Sequence, residues 1–133
     1  MSDTHFEFHR DRGTGFIRTL NPVQEIDVLI HAGDMCPAHM LENKVKALCD
    51  KFPNVVYVTG NHEYYHSSPK HVHGLLGDLK VRIPNFHWLD KEVVEIKDSA
   101  TDKLIKFAGA TLWLFRSFVV QRYFCRKSFD KPN

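Results

Sequence analysis

Apolar residues fall into short runs separated by turn signals, and two of these runs have the composition of buried strands. Residues 55–58 (VVYV) are all β-branched or aromatic, and residues 27–31 (DVLIH) contain a second apolar run. A glycine follows each run closely, Gly33 after the first along the chain and Gly60 after the second. Because glycine tolerates sharp bends, the pattern predicts two strands that each end in a tight turn.

Two other segments have the period of an amphipathic helix. Apolar residues recur at steps of four, three and four between residues 37 and 52, and Pro53 ends this predicted helix. Residues 67–80 predict a second helix, with Ser68 as its cap and Pro69 at its first position. The apolar faces consist of Leu41, Val45, Leu48 and Phe52 in the first helix, and Val72, Leu75, Leu76 and Leu79 in the second.

Further along, the pattern changes from alternating strands and helices to a meander of strands. Residues 86–89, 92–96 and 104–108 are predicted strands, whereas residues 6–19 mix aromatics, charges and glycines and are predicted to form a surface loop with a short helical turn. The chain is therefore predicted to be an α/β protein in which strands from the second half form a second sheet.

Polar side chains follow the predicted strands at their carboxyl ends. Asp34 comes directly after Gly33, and Asn61, His62 and Glu63 come directly after Gly60. The amino terminus supplies a further carboxylate and imidazole, Asp3 and His5. Each interval between these groups is long enough for one βα unit, so we expect them to meet at one edge of one sheet, where α/β proteins bind ligands.

The expected donor set contains oxygen and nitrogen but no thiolate. Such sets suit divalent ions such as manganese, iron or zinc. Two such ions about 3.5–4 Å apart can activate water for attack at phosphorus. The sequence thus indicates a site for divalent ions.

These motifs, in this order and at these spacings, resemble the first three motifs of the calcineurin-like metallophosphoesterases. The matching stretches are Asp3-x-His5, Gly33-Asp34 and Gly60-Asn61-His62-Glu63. The resemblance implies a layered αββα sandwich and a hydrolase that cleaves phosphate mono- or diesters with two divalent ions.

The resemblance also implies a role for each residue of these motifs. Asp3 and His5 would bind the first ion, Asp34 would bridge both ions, and Asn61 would bind the second. His62 would face the phosphate and assist the leaving group, and Glu63 would hold the His62 imidazole in the required tautomer.

Ordinary structural roles compete with these assignments. Asp34 is also suited to capping the following helix, Asn61 to a left-handed turn, and Glu63 to the start of a helix. Most of the histidines outside the motifs are expected to be solvated surface residues, and Cys36 a small buried side chain. These histidines are His31, His39, His66, His71, His73 and His87.

Composition bounds the class of protein. The 133 residues, 43% hydrophobic and 26% charged, suit one globular domain, and the three cysteines lack C-x-x-C spacing. No apolar run approaches the roughly 20 residues of a membrane span and no signal-peptide pattern opens the chain, which is typical of a cytoplasmic protein.

The two ends of the chain differ from the resembled family. Only Met1 and Ser2 precede Asp3 where the family has a buried strand, and the histidines of the family's later motifs are missing because none follows His87. We therefore expect a phosphoesterase domain over residues 1–115 that is truncated at both ends.

Residues 116–133 are predicted to be a tail of unclear role, with five basic residues, one acidic residue and several aromatics. A non-catalytic module that binds metal or a partner is the alternative to an enzyme. Contact of the tail with nucleic acid is a further, less favoured alternative, because short basic tails are usually solvated. The sequence predicts no oligomeric state.

Overall fold

The computed structural model describes residues 1–20 and 26–112, and a parallel sheet lies at the centre of that part of the chain. The sheet consists of β1 (Leu29–Ala32), β2 (Val55–Val58) and β3 (Phe86–Trp88), in the order β1-β2-β3. Leu29 pairs with Val55, and Val55 with Phe86. The predicted strand over residues 55–58 is confirmed, whereas the one predicted over 27–31 begins two residues later.

Two helices cover one face of this sheet. α2 (Ala38–Cys49) and α3 (Pro69–Arg82) correspond to the two predicted helices. The Ser68 hydroxyl accepts a hydrogen bond from the backbone N–H of His71 at 3.2 Å, so the predicted cap of α3 is confirmed. Apolar side chains of both helices pack in one core with alternate residues of the sheet. Its members include Leu41, Val45, Leu48, Val55, Tyr57, Val72, Leu76, Leu79 and Phe86.

A second sheet packs on the opposite face. β4 (Glu92–Lys97) and β5 (Leu104–Gly109) form an antiparallel pair, and Val56, Leu89 and Ile96 form the buried core beneath it. The chain is therefore a mixed α/β protein with layers of helix, parallel sheet and antiparallel sheet, as predicted. The assignment of residues 86–89 to the meander is wrong, because Phe86–Trp88 pairs in parallel with β2. The predicted boundary at residue 115 and the tail over residues 116–133 lie outside the described residues.

Residues 6–19 are more ordered than the predicted surface loop. Phe6–Phe8 form one turn of 3₁₀ helix and Thr14–Thr19 form α1. Phe6 and Ile17 lie in the main core. Lys51 stabilises the end of α1, because its ammonium group donates to the carbonyl oxygens of three residues there at 2.7–2.8 Å: Ile17, Arg18 and Leu20. The predicted short helical turn is confirmed. The predicted surface location is wrong for Phe6 and Ile17, because the core residues that bury them come from distant parts of the chain.

The amino terminus lies beside β1. The Met1 amino group donates to the carbonyl oxygen of Ile30 at 2.7 Å, and the N–H of Ala32 donates to the carbonyl oxygen of Met1 at 2.8 Å. These are the two bonds of a parallel ladder around His31. They bring Asp3 to the carboxyl edge of the sheet.

Candidate metal centre

Three loops meet at the carboxyl edge of the parallel sheet, and backbone hydrogen bonds join the first two. The N–H of Asp3 donates to the carbonyl oxygen of Gly33, and the N–H of His5 donates to that of Asp34, both at 3.0 Å. Phe6 continues this ladder with a bond to the carbonyl oxygen of Met35 at 2.9 Å. The D-x-H segment is therefore held along the Gly-Asp loop by main-chain contacts.

The second and third loops touch through their glycines. A β-carbon on Gly33, which has φ +83°, would lie 2.7 Å from the backbone nitrogen of Gly60. A β-carbon on Gly60 would lie 2.7 Å from the backbone nitrogen of Asp34. Since real β-carbons do not come this close to backbone atoms, both glycines are required for the loops to meet.

The carboxylate of Glu63 forms hydrogen bonds with both of these loops. It is fully buried, and its Oε1 accepts from the N–H of Met35 at 2.7 Å and from the Tyr57 hydroxyl at 2.6 Å. Its Oε2 accepts from the N–H of Gly60 at 2.8 Å and from that of Asp34 at 3.3 Å. Tyr57 is also fully buried, and its burial together with the nearby Glu63 carboxylate raises the pKa of its hydroxyl well above the usual value.

The predicted contact between Glu63 and the His62 imidazole is therefore wrong. Glu63 turns its carboxylate towards backbone N–H groups of the Gly-Asp loop, since these buried donors need an acceptor. Sequence reasoning assigned the next residue in the chain as the partner, whereas two of the four contacts of Glu63 come from residues almost thirty positions away.

Asp3, His5 and Asp34 converge on one point. One ligand atom from each lies within 4.8 Å of the others, and the Nε2 of His5 is 4.0 Å from the Oδ1 of Asp3. All three residues have positive φ, at 52°, 43° and 53° respectively. Left-handed conformations are uncommon for residues with side chains and cluster at functional sites. Two carboxylates and one imidazole at this spacing fit a divalent cation of the first transition series.

His62 lies beside this group. Its backbone N–H donates to the Oδ1 of Asp34 at 2.9 Å, and its Nδ1 is 2.6 Å from the Oε1 of Glu7. The Nδ1 of His5 lies 3.2 Å from the Nδ1 of His62. Glu7 was missed by the sequence analysis. It stands two positions after His5, but this spacing alone does not show that a turn of 3₁₀ helix brings its carboxylate back to the imidazoles.

Asn61 starts the turn that carries His62. Its φ of −89° excludes the left-handed turn conformation that the sequence allowed. Its side-chain Nδ2 donates to the Tyr65 hydroxyl at 2.7 Å, so the amide oxygen is the atom left for a cation. Its role as a ligand remains a prediction.

The six other histidines assigned mostly to the surface divide into three groups. The surface prediction is confirmed for His39, His66 and His71, which are exposed. His73 and His87 are half-buried, with contacts to the Tyr64 hydroxyl at 3.0 Å and to the Oδ1 of Asn54 at 3.1 Å. His31 is fully buried in β1, where its Nε2 contacts the Thr4 hydroxyl at 3.0 Å. Burial, together with the charge of the amino terminus, lowers the pKa of His31 to about 4. The surface assignment of His31 is therefore wrong, because β1 presents this side chain to the core.

Cys36 is buried and free, as expected for a small core side chain. Burial, with the nearby carboxylate of Glu63, raises its pKa far above the usual range of a thiol. This makes a thiolate ligand unfavourable at neutral pH.

The oxygen and nitrogen donors of this chain lie at the carboxyl edge of a parallel sheet, which is where α/β proteins bind ligands. The fold and the site therefore place the chain in that class. The particular family follows from a direct comparison. The family model described as calcineurin-like phosphoesterase matches residues 1–125, so the chain belongs to this family. Its members bind divalent metals and act on phosphate esters. No curated protein and no solved structure matches the chain significantly.

No helix in the described residues is long and apolar enough to cross a membrane.

Proposed function

We propose that the chain is a metal-dependent hydrolase of phosphate mono- or diesters. The observation that carries this proposal is the convergence of Asp3, His5 and Asp34 at the carboxyl edge of the sheet. Family membership supports the reaction class, since calcineurin-like phosphoesterases act on phosphate esters.

The residues fit the cofactor. Asp3, His5 and Asp34 would hold the first divalent ion. Asp34 and the amide oxygen of Asn61 would hold a second. Manganese, iron and zinc all suit these donors. Bound ions would supply positive charge that polarises the phosphate ester and activates water.

His62 is the proposed catalytic residue at the leaving group. Its backbone N–H is bonded to Asp34, so its position is tied to the metal-binding loop. Its Nδ1 contacts Glu7, so Nε2 is the nitrogen left to face the ester, and in the imidazolium form it would give its proton to the departing ester oxygen. Glu63 acts indirectly, because it fixes the backbone of the loops that carry Asp34 and His62.

A non-catalytic metal-binding or interaction module is the alternative. One observation favours it: within these 133 residues no histidine follows His87, so the candidate ligands of the second ion among them are Asp34 and Asn61. Such a module would bind metal at Asp34 without turnover.

Metal content and hydrolysis together test the proposal. We expect about one equivalent of manganese or zinc, bound weakly because three protein donors hold the first ion. Asp34→Ala should abolish this binding, whereas the control Asp78→Ala, on the exposed surface of α3, should not. Equal metal content in wild type and Asp34→Ala, by elemental analysis, would contradict the site.

Hydrolysis of an aryl phosphate diester and monoester separates the two functions. Turnover is expected to be slow at micromolar manganese and to rise at millimolar manganese by mass action. His62→Ala should lower this rate without changing metal content. Metal binding without hydrolysis at any manganese concentration would favour the non-catalytic module.

A further inference from the structure

Two aromatic side chains lie at the candidate site with much of their ring surface open to solvent. Phe8 is 75% exposed and Tyr65 is 48% exposed, although Phe6, two positions before Phe8, is fully buried in the main core. Neighbouring exposed apolar side chains beside a binding site are typical of surfaces that bind a ligand. The two rings are therefore candidates for substrate contact.

Both rings border the imidazole of His62. The centroid of the Tyr65 ring lies 4.5 Å from that of the imidazole, with the two planes inclined by 39°. The Phe8 ring meets the same imidazole edge-on, at 6.0 Å and 81°, and lies 5.9 Å from the ring of His5. These distances are within the range in which aromatic rings attract one another. Each ring is thus packed on one side while much of its surface still faces solvent.

The backbone holds both residues in place. The N–H of Phe8 donates to the carbonyl oxygen of His5 at 2.9 Å, and that of Tyr65 donates to the carbonyl oxygen of His62 at 3.1 Å. The Tyr65 hydroxyl also accepts from the Nδ2 of Asn61 at 2.7 Å. Side chains that are already held in place lose little conformational freedom when a ligand packs against them, which favours binding.

The position of the rings indicates which part of a substrate they would contact. The backbone N–H of His62 donates to the Oδ1 of Asp34 at 2.9 Å, so the imidazole borders the candidate cation site. The proposed function puts the phosphate of the substrate at the cations and the departing alcohol at His62. The alcohol portion of the ester then lies beside Phe8 and Tyr65.

We propose that Phe8 and Tyr65 form a subsite for a planar ring on the alcohol side of the substrate. The substrates are then phosphate esters of alcohols that carry such a ring, a class that includes both aryl alcohols and nucleosides. A planar ring can stack on an aromatic side chain or meet its edge, whereas a saturated ring of similar size fills the same space without this attraction. The inference rests on the proposed function for the placement of the ester.

Two non-hydrolysable ligands, benzylphosphonate and cyclohexylmethylphosphonate, test the subsite because they differ in the planarity of the ring. Calorimetric titration at millimolar manganese should show about 2- to 12-fold tighter binding of benzylphosphonate by the wild type. Phe8→Leu, which keeps an apolar side chain without a ring, should lower this ratio about twofold or more. The double variant Phe8→Leu/Tyr65→Leu should bring the ratio close to one. The control Val81→Ala, at an 85% exposed position of α3, should leave it unchanged.

A second pair of ligands distinguishes nucleosides from aryl alcohols. Adenosine 5′-monophosphate and ribose 5-phosphate have the same phosphate-bearing carbon, and adenosine 5′-monophosphate alone carries a base. Tighter binding of the nucleotide that is lost in Phe8→Leu supports the subsite and identifies the ring as a nucleobase. Selectivity confined to the benzyl pair supports the subsite and identifies the ring as an aryl group.

Equal wild-type affinity for the two phosphonates overturns the subsite, and so does failure to bind either ligand or a ratio that persists in the double variant. NMR of the wild type tests the contact even if the leucine variants fail to fold. Benzylphosphonate should shift the ring resonances of Phe8 and Tyr65, and unshifted resonances overturn the proposal. Ring-selective binding without hydrolysis of benzyl phosphate counts against the proposed function alone. Hydrolysis of benzyl and cyclohexylmethyl phosphates with equal kcat/KM counts against the subsite alone.

Discussion

Glu63→Gln is the substitution that most directly tests how the site is assembled. The Glu63 carboxylate accepts from three backbone N–H groups and from the Tyr57 hydroxyl in the described part of the chain. Truncation to alanine would leave all four donors without this acceptor, two of them in buried and two in partly buried positions. At about 1–3 kcal/mol each, this cost approaches the whole stability of a small domain. The amide keeps the shape and changes one oxygen into a donor, so it is the more informative variant.

The geometry sets the magnitude. The new amide nitrogen faces least repulsion in place of Oε1, because the Tyr57 hydroxyl can rotate to accept from it. The N–H of Met35, 2.7 Å from Oε1, then has no acceptor and meets another donor. One unpaired buried N–H and the loss of charge together cost about 2–3 kcal/mol. Tyr57→Phe removes one donor and leaves the carboxylate its backbone partners, so about 1 kcal/mol is expected.

Urea unfolding followed by tryptophan fluorescence measures both effects. With a slope of about 1–3 kcal/mol per molar urea, Glu63→Gln should lower the midpoint by about 1–2 M. Glu95→Gln, in an exposed position, should shift the midpoint by far less. A Glu63→Gln midpoint within 0.2 M of wild type, roughly 0.5 kcal/mol or less, would refute the view that this carboxylate holds the loops together.

Two further predictions concern Gly60 and His31. Gly60→Ala should destabilise the fold by about 1–3 kcal/mol and weaken metal binding, because its β-carbon would lie 2.7 Å from the backbone nitrogen of Asp34. The control Gly74→Ala, with open space in α3, should instead stabilise the fold by about 0.5–1 kcal/mol. Equal urea-unfolding midpoints for the two variants would contradict the close approach of Gly60 to Asp34. The pKa of His31 is lowered from 6.5 to about 4 in the fold, so below pH 6.5 the unfolded chain binds a proton that the folded chain does not. Its contribution to stability is therefore complete above pH 6.5 and falls as the pH drops towards 4, by about 3 kcal/mol in all. Unfolding of wild type and His31→Gln between pH 4.5 and 7.5 checks this, and parallel pH profiles would count against it.

The elements that sequence predicted well are those with local causes. β2 was predicted from four β-branched or aromatic residues, and the start of α3 from Ser68 and Pro69. In each case the residues that determine the structure lie within the element itself. The three metal-ligand candidates Asp3, His5 and Asp34 also came from local motifs, and the parallel sheet brings them together.

The features that sequence missed depend on contacts between distant segments. The order of residues 6–19 depends on Lys51, and the burial of His31 depends on β1 being flanked by both β2 and Met1. Glu63 follows His62 directly, so its true partners in the Gly-Asp loop were not visible in the motif. Such contacts become predictable only when the relative positions of the three loops are known.

The backbone of the site is organised by hydrogen bonds that involve no metal. Asp3, His5 and Asp34 all have left-handed φ values, a conformation that costs roughly 1 kcal/mol or more for each residue with a side chain. The bonds from Asp3 to Gly33 and from His5 to Asp34 connect two of these residues to the loop that carries Asp34. Glu63 anchors that loop at Asp34 and Met35. The strain is thus offset by main-chain contacts, so a cation need not supply the energy to fold the loops. It follows that loss of a ligand side chain should affect metal binding far more than folding, whereas loss of Glu63 should affect both.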